Sequence, residues 1–161
     1  MKKILFFAVM FCVALSSAML VSCGGDDDID EPKGDNMFKC SIKFTDDLLD
    51  LYKDVSVVFK FQDGTEFSGN VTANTVTVEH KMDKTQDVVV IIDGTLIEDK
   101  VDEAKAYNVR ATIAGVYNDM TSATIAGFAS VQGKAIKDKA HKLSDMMLTN
   151  TLKFTELEKN K

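Results

Sequence analysis

The chain has 161 residues, 25 acids against 19 lysines and arginines, a formal net charge of −6, three cysteines and no tryptophan. This length supports one domain with a sizeable core and hardly two. The acidic balance makes nucleic acid and anionic bilayer surfaces poor partners.

Lys2 and Lys3 precede an apolar run from Ile4 to Leu15, followed by the small residues Ser16, Ser17 and Ala18. A basic start, a short apolar core and a small-residue end predict a secretory signal peptide over residues 1–22. A transmembrane helix would need ~20 apolar residues to cross ~30 Å of hydrocarbon. The segment Leu20-Val21-Ser22-Cys23 resembles the lipobox of bacterial lipoproteins. That resemblance implies that Cys23 becomes the first residue of the mature chain and carries a thioether-linked diacylglycerol, making the membrane a partner through the lipid anchor.

Residues 23–36 read as an acidic, flexible tether. Asp26, Asp27, Asp28, Asp30 and Glu31 lie between two glycines and Pro32, a composition that buries no apolar surface. The run resembles the surface-export signal of Bacteroidetes lipoproteins, which implies that Asp26, Asp27 and Asp28 direct the protein to the cell surface of the outer membrane. The other reading is a solvated spacer. Calcium is not expected at Asp26, Asp28 and Asp30, because Glu31 stands where the loop pattern needs a turn glycine. With Cys12 lost in the signal and Cys23 acylated, Cys40 remains alone, so no disulfide is expected within the domain. Cys40 lies in an alternating apolar row and reads as a small buried hydrophobe.

Residues 37–161 form the predicted domain. "FKCSIKF" puts Phe38, Cys40, Ile42 and Phe44 on one face of a strand. "TDDLLDLY" breaks the rhythm and predicts a short helical turn, capped by Thr45 or Asp46, with Leu48, Leu49 and Tyr52 inward. "VSVVFKF" alternates Val55, Val57, Phe59 and Phe61, and "QDGT" then predicts a hairpin with a primed turn. "TVTVEHKM" alternates Val76, Val78, His80 and Met82. "DVVVIID" is continuously apolar, as in a strand covered on both faces, and Asp93-Gly94 predicts a second turn. "AYNVRATIAGVY" places Tyr107, Val109, Ala111 and Ile113 on one face, and "SATIAGFASV" is a weaker strand. "KAIKDKAHKLSDMML" predicts one helix from Ile136, Ala140, Leu143 and Met147. "TLKFTEL" predicts a closing strand.

Six to eight short strands with one short helix near the C-terminus argue for a mainly β, antiparallel β-sandwich. "FTDDLLDLYKDVSVVFKFQDGTE" resembles the opening of small Bacteroides lipoproteins in which an acidic-Leu-Leu turn precedes "DVxVxY"-type strands. Here Phe59 and Phe61 stand where a tyrosine is usual. The resemblance covers Phe38 to Glu66 and implies an immunoglobulin-like sandwich, but no activity.

The sequence offers no catalytic constellation. His80 continues an apolar face and His141 sits among lysines; neither is in an HExxH pattern, and no G-x-S-x-G elbow, P-loop or dinucleotide fingerprint occurs. Scattered acids give no reason to expect a glycosidase pair. No catalytic residue, metal or cofactor is therefore expected. Sugar platforms are exposed aromatic rings, and Tyr117, beside the loop "YNDMTS", is the weak candidate for ligand binding. Lys134, Lys137, Lys139 and Lys142 read as the solvated face of the late helix. The expectation is an outer-membrane, surface-exposed lipoprotein acting as a non-enzymatic binding or structural module. The alternative is a small-ligand carrier, for lipid or glycan, with a barrel-like cavity.

Overall fold

The computed structural model describes residues 36–146 and 150–160. The expected signal peptide, Cys23 and the export run Asp26, Asp27 and Asp28 lie outside the described residues.

Among the described residues, eight strands form two antiparallel four-stranded sheets. They are β1 (Met37–Phe44), β2 (Tyr52–Phe61), β3 (Glu66–Asn70), β4 (Thr75–Lys81), β5 (Val88–Leu96), β6 (Ala106–Tyr117), β7 (Met120–Gln132) and β8 (Asn150–Leu152). One sheet has the order β4-β1-β6-β7 and the other β3-β2-β5-β8. Helix α1 (Asp46–Leu51) carries the chain from the first sheet to the second, and α2 (Gly133–Lys139), α3 (Leu143–Met146) and α4 (Phe154–Glu158) close the fold.

Period-two patterning places the core between the sheets. Phe38, Cys40, Ile42 and Phe44 of β1 face Val55, Val57, Phe59 and Phe61 of β2, all of them buried. The Phe38 ring meets Phe59 at 6.5 Å, Phe61 at 5.6 Å and Phe154 at 5.9 Å, each edge to face, an arrangement aromatic quadrupoles favour. The other face of the β1 sheet meets water and carries Lys39, Lys43 and Thr112, with Val116 and Ile125 exposed.

Several local expectations change. Asp93-Gly94 is not a turn: β5 runs through it. Opposite Gly94, β2 bulges at Asp54 and Val55, with Asp54 at φ 54°. A Cβ on Gly94 would lie 3.0 Å from Leu143 Cδ1 and 3.1 Å from Val55 Cγ2, so the glycine admits a close approach. The β2–β3 turn has only Gly64 in the left-handed region, at φ 88°, and Phe61 N donates to Thr65 O. It is a three-residue loop rather than a two-residue primed turn.

The single late helix is two. Between α2 and α3, Ala140 O accepts from Tyr52 Oη at 3.0 Å and His141 O accepts from Leu96 N at 2.9 Å. Lys142 bridges to Thr95 of β5. These distant partners take backbone groups that a continuous helix would have used. Met147 lies outside the described residues. The closing strand stops at Leu152; α4 begins at Phe154, where Asp87 Oδ1 accepts from both Thr155 N and Thr155 Oγ1. In α1, Leu51 rather than Leu49 completes the buried set.

Candidate functional site

Thr45 stands at the N-cap of α1, where its carbonyl accepts from Leu49 N at 3.4 Å, but its side chain makes no capping bond. Its backbone N–H donates to Arg110 O at 3.0 Å, and its hydroxyl accepts from Arg110 N at 3.1 Å and donates to Asn108 O. Thr45 thus extends the β1–β6 ladder one residue past the Phe44–Ala111 pair. That leaves α1 folded over the start of β6, and an open cleft of about 680 Å³ forms there. Lys43, Asp46 and Asp47 line one side; Asn74, from the β3–β4 connection, and Asn108, Arg110 and Thr112 of β6 line the rest. A second hollow of about 360 Å³ lies on the other flank of α1, between Asp50, Lys100 and Tyr107, and shares Asp47 with the first.

The cleft carries two cations and two carboxylates that do not pair with one another. Asp47 Oδ2 accepts from Asn108 N at 2.7 Å, and Asp46 Oδ1 accepts from Asn74 Nδ2 at 2.6 Å. Register places Lys43 directly across from Thr112, and Arg110 two residues along β6 on the same face. The two cations are therefore diagonal neighbours, roughly 7–8 Å apart at the backbone. Neither side chain has an ion pair or hydrogen bond among the described residues. Asn108 Oδ1 is buried with no hydrogen-bond partner. It sits where β7 bulges, since Tyr107 pairs with Val131 but Val109 with Phe128.

Residues singled out in the sequence fall elsewhere. Tyr117 offers no platform, because it continues the inward row of β6, and its ring is 1% exposed and packs on Phe154 at 6.2 Å. Its hydroxyl donates to Met82 O at 3.1 Å. Tyr107, expected inward, is half-buried at the bulge and accepts from Asp102 N. His80 is half-buried against Phe61 at 4.5 Å and Phe67 at 4.8 Å. His141 lies on the surface, 3.4 Å from Glu98. Lys134 and Lys137 pair with Asp138 and Glu103. Among the described residues no three His, Cys, Asp or Glu side chains converge as a metal site would require.

Cys40 is buried between the sheets, and desolvation raises its thiol from the usual 9.0 to about 12. The thiolate is the nucleophile, so the native thiol should be inert. Mass-spectrometric mapping after iodoacetamide treatment at mildly alkaline pH should find Cys40 unmodified in the native chain and modified in urea. The raised value also sets a sign: this burial stabilises the fold fully below the unfolded thiol value and loses that contribution as pH rises from there toward 12.

The cleft residues were not singled out by sequence. Asp46 and Asp47 read as a helix start, and Arg110 as the polar phase of a strand. A usable signal was that Arg110 is the single arginine of the chain. No protein family, no curated protein and no solved structure matches this chain.

Proposed function

We propose that the chain is a lipid-anchored, surface-exposed lipoprotein of the outer membrane. Its domain is a non-enzymatic binding module with an immunoglobulin-like sandwich, and the α1 cleft is its recognition site. The observation that carries this reading is the position of an open polar cleft relative to the tether. The tether joins β1 at Met37, and β1 ends at Phe44 in the cleft wall. Eight residues of strand separate the two by roughly 20–25 Å. A domain held by Cys23 therefore presents the cleft away from its attachment point, as recognition on a rigid scaffold requires.

The pairing pattern supports the immunoglobulin-like assignment. Strands β1 with β4, and β2 with β5, pair as B with E and C with F do in that sandwich. The departure is β6, which follows β5 in the chain yet takes the place beside β1 that a preceding strand would fill. A binding role is favoured over catalysis because the thiol is buried and the two histidines are engaged separately. An interior carrier has less support, since Phe38, Phe59, Phe61 and Phe154 occupy the space between two separate sheets.

The anchor is tested directly. Cys23→Ser should abolish labelling by an alkyne fatty acid and release the protein from membranes; unchanged labelling would sink the lipoprotein reading. In the same cells, replacing Asp26, Asp27 and Asp28 with Ala should leave lipidation intact but shield the domain from added protease. Equal protease sensitivity would reduce the run to a spacer.

A further inference from the structure

We infer that the α1 cleft binds a carboxylate-bearing sugar, with Arg110 and Lys43 on the carboxylate and Asp46, Asp47 and Asn108 receiving the ring hydroxyls. This rests on the cleft being the recognition site, as proposed above.

The cations come first. A solvated surface arginine beside two aspartates ordinarily pairs with one of them. Here both carboxylates are turned to other donors, Asn108 N and Asn74 Nδ2, and the Arg110 guanidinium keeps its fork of donors free among the described residues. That planar fork matches a carboxylate in bidentate fashion, and Lys43 adds a point charge from the neighbouring strand. The cleft thus holds a ready receptor for one anionic group.

The acceptors define the rest of the ligand. Asp46 Oδ2 and Asp47 Oδ1 have no hydrogen bond among the described residues, while the other oxygen of each is fixed by an asparagine. Asn108 Oδ1 is shut from water and unpartnered, a state that costs stability. A ligand hydroxyl reaching it would supply the missing donor. These acceptors lie on separate elements, α1 and β6, so they call for several donors spread around one molecule. A ring of hydroxyls has that arrangement. The single ammonium of an amino acid concentrates its donors at one point and leaves the others unmet. The volume of about 680 Å³ is within the range of small-ligand sites.

The test is calorimetric titration of the purified full chain with galacturonate and glucuronate oligosaccharides, their methyl esters and free glutamate. The uronates should bind, and the esters should bind about tenfold more weakly or worse, since they lack the charge that doubles such hydrogen bonds. Arg110→Gln should remove most of the preference for the acid over its ester, weakening the acid far more than the ester, and leave the melting temperature unchanged. Asn108→Leu should lose binding yet melt at or above the parent temperature, because it removes an unsatisfied buried oxygen; a merely structural asparagine would melt lower. Equal binding of acid and ester, untouched by Arg110→Gln but weakened by Asn108→Leu, would overturn the anionic ligand and keep the cleft. Uronate binding indifferent to both variants would overturn the cleft itself. Binding of glutamate alone, or of none of these probes, would overturn the proposal.

Discussion

Phe59→Ala should destabilise the domain by ~3–5 kcal/mol, the cost of deleting a buried phenyl group and leaving a cavity. The ring is 1% exposed and stands edge-on to Phe38 across the sheet interface. Phe67 and Val90 flank it on the strands to either side. Lys60, one residue on, faces solvent and meets Glu66 at 3.2 Å with both side chains about half exposed. A pair of this kind contributes ~1 kcal/mol at most, so Lys60→Ala should be nearly silent. Thermal denaturation followed by circular dichroism reads both, because each kcal/mol moves the melting temperature by roughly 3–6 °C in a domain of this size. A larger loss for Lys60→Ala than for Phe59→Ala would refute the inward row of β2.

The second large effect is expected at Gly133, where β7 passes into α2. Its N–H donates to Lys105 O at 2.8 Å. A Cβ there would lie 2.1 Å from Asp102 O, 2.9 Å from Asp102 C and 3.1 Å from Glu103 Cα. These are backbone atoms, so no rotamer change relieves the clash. Gly133→Ala must push the 102–105 loop away from the strand or lose the hydrogen bond. We expect a cost at or above the ~1–3 kcal/mol typical of an overpacked core. Alanine is the better helix former by ~1 kcal/mol, so local propensity alone expects the opposite sign. Urea denaturation decides: a variant as stable as the parent would show that the loop yields freely.

Over Val55–Phe61 strand β2 follows the sequence reading, since side chains alternate with period two and only one phase buries Val55, Val57, Phe59 and Phe61; the strand itself begins earlier, at Tyr52, which the sequence placed in the helical turn. Period two likewise places β1, and the break in alternation at two acids and a leucine pair marks the short helical turn at Asp46–Leu51. Composition and patterning therefore determined a mainly β, antiparallel domain and most of its core. The proposed address, Cys23 with its acidic run, rests on the sequence alone, because targeting segments are recognised as extended chain rather than as a fold.

Only tertiary structure decided the rest. Asp93-Gly94 has the residues of a turn, but the bulge at Asp54 and Val55 and the seat of Leu143 need a glycine inside a strand. The helical spacing of Ile136, Ala140 and Leu143 survives as burial of all three. The helix itself is cut because Tyr52, Leu96 and Thr95, far away in sequence, claim the backbone between. Tyr117 looked like a loop-edge ring until α4 brought Phe154 over it. The cleft was least legible of all. Lys43, Asp46, Asn74, Asn108 and Arg110 come from three separate stretches of chain, none marked as a site in its own window. Sheet pairing and the path of α1 bring them together, and no local rule of periodicity or turn chemistry encodes a contact between residues more than sixty positions apart.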